Sequence, residues 1–261
     1  MARRRKLVVA SALYNNLKYI EGMLATIETK HDAVVMLVDN GSTDCTHDFI
    51  HKFMQFPGHS AISFPENKGV AHAWNTAITA ASQQFGAEYI LILGNDTLLS
   101  RSCIDRLVQT ANRTKAAIVT ATDYSKDCEK PIDIIGYQPH PPEVLTDCPD
   151  FSCFLLRISA ALELRNFEQD REQNPGLFDT RFYPAYFEDN DYHYRLKLAG
   201  LRAIKTNKAA YYHFLSATKK ENPEIAAQID QTYCENEAYY CRKWGGAPGK
   251  ETSTSPTKQW I

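Results

Sequence analysis

Carboxylates, amides and one imidazole recur in this sequence where apolar runs end. The run 7–11 leads into Ala12-Leu-Tyr-Asn-Asn16, the run 34–38 into Asp39-Asn-Gly-Ser-Thr-Asp44, and the run 89–93 into Gly94-Asn-Asp-Thr97. Further along stand Glu188-Asp189-Asn-Asp191 and His213. A side-chain oxygen can accept from a ring N–H. A carboxylate can hold a hard cation whose other ligands are phosphates and water, or it can take a proton from a hydroxyl within hydrogen-bond reach. Each stretch also has a structural alternative. Asp39-Asn-Gly-Ser42 is a turn signal, Thr43 or Asp44 suits a helix N-cap, and Asn95-Asp-Thr97 suits a loop. Glu188, Asp189 and Asp191 complement the dipole of a helical first turn, and Asp191 stands i,i+4 to Arg195. His213 follows two tyrosines, as a buried structural histidine would. No Ser or Cys nucleophile constellation stands out.

The elements that must position these groups alternate in type. β-rich runs at 7–11, 34–38, 61–64, 89–93 and 117–120 are separated by helical patterns: Leu17, Ile20, Leu24 and Ile27; then Phe49, Ile50 and Phe53; then 70–84; then 101–111. Such a rhythm implies parallel pairing with right-handed crossovers and a doubly wound sheet. Ligands bind such sheets beyond the carboxyl ends of the strands, where the polar stretches lie. Residues 123–150 read as long loops with one short strand at 132–135, and 151–156 returns to the sheet. Residues 166–176 are polar and read as mobile. A helix from Glu188 ends at Gly200, strands follow at 201–204 and 210–213, and a last helix runs from Pro223 to Trp244. The tail 247–261, rich in Ser, Thr, Lys and Pro, reads as disordered. No internal repeat and no second domain is evident.

Composition narrows the class. With 44% hydrophobic and 23% charged residues over 261 positions, the chain can bury the core of one α/β domain. A net charge of −2 does not advertise a phosphate backbone as the main partner. The apolar runs at 7–13 and 89–93 are far shorter than the roughly 20 residues that cross a bilayer. Arg3-Arg-Arg-Lys6 before the run 7–13 imitates a secretory leader, but the run is short and motif-bearing sequence follows at once. Seven scattered cysteines without a CxxC pair argue against a disulfide framework or structural zinc and fit a reducing cytoplasm; Cys148 and Cys153 read as small buried hydrophobes.

Taken together and in chain order, Asp39-Asn-Gly-Ser-Thr-Asp44, Glu66-Asn-Lys-Gly-Val-Ala-His-Ala-Trp-Asn75, Gly94-Asn-Asp-Thr97 and Phe187-Glu-Asp-Asn-Asp-Tyr-His-Tyr-Arg-Leu-Lys-Leu-Ala-Gly200 resemble the family-2 glycosyltransferases with the GT-A fold. The resemblance implies one such domain over 1–246, with a Rossmann-like, mostly parallel central sheet flanked by helices. It implies transfer of a sugar from a UDP-, dTDP- or GDP-linked donor to an acceptor hydroxyl. Tyr14 would stack on the nucleobase, and Asp39 and Asn40 would face its edge and the ribose. Asn67, Lys68 and Gly69 would hold the diphosphate at a helix N-terminus. Ala12, Ser42, Asn75 and Asn95 complete the implied donor site.

Asp96 matches the second carboxylate of the family's Asp-x-Asp motif, which holds Mg²⁺ or Mn²⁺; Gly94 stands at the first position, a departure from the pattern. His213 would be a further ligand, and its nitrogen favours Mn²⁺. Asp189 is the implied general base, with Glu188 beside it and Asp191 in reserve. Inversion at the anomeric carbon is the expected outcome, through a transition state with oxocarbenium character. The stretch Phe182, Tyr183, Tyr186 and Phe187 could face a sugar or pack beneath the site. The acceptor stays open between a glycan, a lipid-linked sugar, a protein side chain and a modified nucleic-acid base. A nucleotidyltransferase and a dinucleotide-binding dehydrogenase are disfavoured by the absence of glycine in Ala12-Leu-Tyr-Asn-Asn16. A non-catalytic sugar-nucleotide or glycan-binding module is the rival that Gly94 motivates.

Overall fold

The computed structural model describes residues 7–167, 177–215, 219–220 and 222–254. The described residues begin with strand β1 (Leu7–Leu13), helix α1 (Leu17–Ala25), β2 (Ala33–Asp39), α2 (Thr46–Phe53), β3 (His59–Ser63), α3 (Val70–Gln83) and β4 (Tyr89–Gly94). There follow β5 (Thr97–Leu99), α4 (Cys103–Thr114), β6 (Ile118–Asp123), β7 (Leu145–Thr146), β8 (Cys153–Arg157), α5 (Ile158–Phe167), α6 (Glu188–Leu198), β9 (Ala203–His213) and a C-terminal helix α7 (Pro223–Trp244). Among the described residues the strands form one sheet in the order β3-β2-β1-β4-β8-β6-β9-β5, with β7 paired to β9.

β1 is apolar but for Ser11, whose hydroxyl donates to the Leu93 carbonyl at 2.9 Å, because the strand is covered on both faces. Side chains alternate across the sheet: Val8, Ala10, Met36, Val38, Ile90 and Ile92 point to the face under α3, while Leu7, Val9, Leu37, Leu91 and Leu93 point to the face packed by α1, α2 and α4. α3 presents Ala71, Ala73, Ala77, Ala80 and Ala81, all buried. Alanine is the best helix former and the smallest side chain with a Cβ, so this helix lies close on the sheet.

The pairing aligns the strand ends that matter. Ala12 lies beside Gly94, and Leu13 beside Asp39. β8 runs antiparallel between β4 and β6, so its first residue, Cys153, sits beside Leu93 and the preceding segment 150–152 reaches the same edge. β5 pairs antiparallel with β9, which sets Thr97 beside His213.

Several expectations are corrected. The mostly parallel sheet holds, but β8 reverses its neighbours' direction. The strand expected at 132–135 is a 3-10 turn, Pro131–Gly136, opened by a proline whose ring fixes φ at a helical value. The strands expected at 201–204 and 210–213 are one long strand, β9, with a register shift opposite Thr120 and Thr122. The tail is ordered through residue 254: the amides of Thr252 and Ser253 both donate to the Trp244 carbonyl, at 3.1 and 3.0 Å, and the hydroxyl of Tyr240 donates to Glu251 at 2.5 Å. Polar composition is a poor guide where backbone bonds are made locally. Residues 168–176 and 255–261 lie outside the described residues. All seven cysteines are unpaired, and Cys148 is exposed where a buried hydrophobe was expected. No helix among the described residues is long and apolar enough to cross a membrane.

Candidate functional site

A cavity of about 490 Å³ opens at the carboxyl ends of β1 and β4. The ends of these strands supply Ala12, Leu13 and Gly94, the loop after β1 adds Tyr14, and the turn after β4 adds Asn95 and Asp96. The segment before β8 contributes Asp150, Phe151 and Ser152, the start of α6 contributes Glu188 and Asp189, and the end of β9 contributes His213. Asn40, just after β2, and Asn67, in the loop before α3, also line it, as do Ile225 and Ile229 of α7.

Asp96 and His213 meet here, with His213 Nε2 3.2 Å from Asp96 Oδ1. The contact follows from the β5–β9 pairing and is locked by the amide of Phe214, which donates to the Asp96 carbonyl at 3.0 Å. Burial pulls the His213 imidazole toward lower pKa, but the bond to Asp96 and the charges of Asp96, Asp123 and Asp150 together outweigh it and raise it. One hard oxygen and one imidazole nitrogen form a donor pair suited to Mn²⁺. No cluster of three or more His, Cys, Asp or Glu able to hold a metal occurs among the described residues, so further ligands would have to come from a bound diphosphate and water. A Cβ on Gly94 would lie 3.2 Å from Asp96 Oδ1 and 3.3 Å from Thr97 Cγ2. A carboxylate side chain there would press on the one at Asp96.

Glu188 and Asp189 lie side by side with unlike surroundings. Glu188 is buried, its Oε2 has no hydrogen-bond partner, and burial, with the charge of Asp189 second, raises its pKa well above the usual carboxylate range. Asp189 is half-buried at the cavity wall; burial raises it too, partly offset by the amide of Asn190, which donates to Asp189 Oδ1 at 2.8 Å.

Other expected site residues lie elsewhere. Asp191 is fully buried away from the cavity, where Arg195 Nε donates to Oδ2 at 2.8 Å, Trp244 Nε1 donates to Oδ1 at 2.8 Å and Lys243 Nζ approaches to 2.5 Å. It ties α6 to α7. Asn75 holds both backbone groups of Phe178, at 2.7 and 2.9 Å, and does not reach the cavity. Asp39 and Ser42 also stay outside the lining: Asp39 Oδ1 accepts from the Ser42 amide at 2.9 Å, and Ser42 Oγ accepts from the Asn15 amide at 2.8 Å.

The helix N-terminus expected to hold a diphosphate is occupied from within. The amide of Lys68 donates to Asn40 Oδ1 at 2.9 Å, that of Gly69 to Asn67 Oδ1 at 2.8 Å and that of Val70 to the Pro184 carbonyl at 2.9 Å, while Lys68 Nζ pairs with Glu66. Gly69 is needed for packing: at φ +85° a Cβ there would come within 2.9 Å of Tyr183. Sequence reasoning missed Asp150, Trp74 and Lys219 in the lining. For Asp150 the available signal was its place just before a strand, usable only once that strand is known to run antiparallel.

The model of the family described as glycosyl transferase family 2 matches residues 9–179. The chain belongs to that family. The matched span includes Asp96 but stops short of Glu188, Asp189 and His213. A glycosyltransferase named GlyG from Streptococcus pneumoniae serotype 4 is 30% identical over 122 residues, 46% of this chain and 39% of that protein; the chain thus matches about two fifths of its curated relative's length.

Among solved structures, the mannosyltransferase PcManGT from Pyrobaculum calidifontis, in complex with GDP-Man and Mn²⁺, superposes with a TM-score of 0.63 at 19% identity, over 95% of this chain and 67% of that one. GalNAc-T7 with UDP, GalNAc and Mn²⁺ gives 0.61 at 10% identity, over 82% and 44%. TarS of S. aureus gives 0.58 at 17%, over 80% and 60%. At these identities the likeness is one of fold, and the fold is GT-A.

Proposed function

We propose that this family-2 chain is an inverting glycosyltransferase that moves a sugar from a nucleotide-diphosphate donor to an acceptor hydroxyl. The observation that carries the reading is the convergence of Asp96, His213 and Asp189 on one cavity at the carboxyl edge of the sheet. Solved relatives of the same fold hold UDP, UDP-GlcNAc or GDP-Man, two of them with Mn²⁺, which supports a nucleotide sugar as donor here and Mn²⁺ or Mg²⁺ as cofactor.

Asp96 and His213 would hold the cation, which when bound supplies positive charge to the leaving diphosphate. Asn40, Asn67 and Tyr14 line the part of the cavity next to β1 and β2, and there they would take the nucleoside. Asp189 accepts the proton of the acceptor hydroxyl as its oxygen bonds to the anomeric carbon and the nucleoside diphosphate departs from the opposite face. Glu188 lines the same end of the cavity beside it. The unpaired cysteines support a reducing compartment, the cytoplasm, as the place of action.

The test is a donor screen. The protein is incubated with Mn²⁺ and each common nucleotide sugar, and release of nucleoside diphosphate is measured for the native chain, Asp96→Ala and Asp189→Asn. Cation-dependent release from one donor, lost in both variants, is the expected result. Tight binding of a nucleotide sugar without turnover, even with a range of acceptors supplied, would instead favour the binding-module reading that Gly94 raises.

A further inference from the structure

Tyr186 stands apart from the other aromatics around the site. It is 39% exposed and lines the cavity two residues before Glu188, whereas Phe182 and Phe187 are buried among Tyr239, Tyr240 and Trp244. Tyr186 and Phe187 both have left-handed backbones, φ +76° and +72°. Bulky side chains pay a steric cost there. For Phe187 the reason is visible, since it caps α6 and its ring packs against Tyr233 and Tyr240 at 5.1 and 6.0 Å. Tyr186 is less enclosed than Phe187, with 39% of its surface exposed and its ring against that of Tyr233.

The surroundings nevertheless hold that ring in place. Buried Asn236 on α7 donates through Nδ2 to the carbonyl of Ala185 at 2.9 Å, with longer contacts to Tyr183 and Tyr186 at 3.3 and 3.4 Å. The Tyr233 ring meets Tyr186 edge to face at 5.5 Å and 68°. An aromatic side chain braced by a neighbouring ring and held at its backbone, yet partly exposed in the cavity lining, can serve as an apolar platform next to Asp189. Ile225 and Ile229 extend the apolar wall.

The charges of the cavity restrict what can lie there. Asp96, Asp150, Glu188 and Asp189 line it against Lys219 and His213. Lys219, whose charge reaches Tyr186, is already paired with Asp230, and Asp189 beyond it adds a negative charge that repels a polyanion. A pyranose fits these conditions: its C–H face suits an aromatic ring, and its hydroxyl edge suits a carboxylate.

We propose that Tyr186 is the acceptor platform, on which the terminal sugar of an uncharged glycan stacks with a hydroxyl turned toward Asp189. The proposal rests on the glycosyltransferase reading and names its acceptor class as carbohydrate.

Two measurements test it and separate the two ideas. Saturation-transfer NMR is run with methyl pyranosides of glucose, galactose, mannose, N-acetylglucosamine and rhamnose, on protein with UDP and Mn²⁺ and again with GDP and Mn²⁺. At least one pyranoside should receive saturation at its ring C–H protons in the native chain and in Tyr186→Phe, and should bind about tenfold more weakly in Tyr186→Ala. Calorimetry with UDP, GDP and dTDP in Mn²⁺ reads the donor side. A nucleotide that binds, with no pyranoside signal that depends on Tyr186, overturns the platform alone. If no nucleotide binds, both readings fall. Transfer to a serine peptide or to a hydroxymethylated oligonucleotide at native rate in Tyr186→Ala would likewise overturn the platform.

Discussion

Asp189 and Glu188 show how environment divides the work of adjacent carboxyls. Both are raised by burial, but Asp189 keeps a hydrogen bond from Asn190 and a face on the cavity, whereas Glu188 Oε2 is enclosed without a partner. Both line the cavity, but the carboxyl whose ionised form accepts a hydrogen bond is the better placed of the two to act as base. Since the folded pKa of Asp189 is raised, its basic form is lost at a higher pH than an ordinary aspartate's. Transfer should therefore rise with pH through a value above the usual aspartate range and then level. Replacing Asp189 by Asn should lower kcat by about 10²–10⁴-fold and remove that rise, while leaving nucleotide affinity near native. A pH profile of donor consumption decides this: an Asp189→Asn enzyme that keeps the native profile would move the base elsewhere.

At the scale of elements, Asp191 is a joint between helices. It receives Arg195 from its own helix and Lys243 and Trp244 from α7, while Lys243 also reaches Asp179 at 2.9 Å in the segment before α6. Leaving such a buried charge without its partner costs about 3–5 kcal/mol. Lys243→Met should lower the urea midpoint accordingly, and Asp191→Asn should do the same while its folded fraction still turns over donor. If Asp191→Asn were fully stable yet inactive, Asp191 would be chemical after all.

The same scale shows what the sequence could tell. Alternating apolar runs and helical spacing carried β1 to β4 and α1 to α4, because a doubly covered sheet writes its burial into every residue. The direction of β8 was not legible: an apolar run looks alike in either sense, and only the reversed one carries Asp150 to the site. Asn236 was hidden for a related reason, since a polar residue within helical spacing looks like a solvated position until the strap at 183–186 is seen lying across it. The joint at Asp191 lay within reach through its i,i+4 arginine, but nothing local points to Lys243. Amides at 67–70 looked free to bind phosphate because the loops that occupy them, at Asn40 and Pro184, are remote in sequence.

For the molecule as a whole, two buried acids pull stability in opposite directions with pH. Burial alone would raise Asp179, but Lys243 and Arg181 outweigh it and hold its carboxyl well below the usual range. Its folded form binds a proton less readily than the unfolded chain, so its contribution is present above the unfolded pKa and is lost as pH falls through the acid range. Glu188 has the reverse sign. Its folded pKa is raised, so its contribution is full below the unfolded value and is lost as pH rises through the folded one. Unfolding free energy without ligand should thus rise from acid pH under the influence of Asp179 and be drawn down again toward neutral and alkaline pH by Glu188. Urea titrations across pH on the native chain, Asp179→Asn and Glu188→Gln separate the two arms. Asp179→Asn should be less stable throughout and flatten the acid arm, whereas Glu188→Gln should flatten the other arm and exceed the native chain most at alkaline pH, because its amide never ionises. Parallel curves for all three proteins would show that neither buried acid governs the pH dependence of the fold.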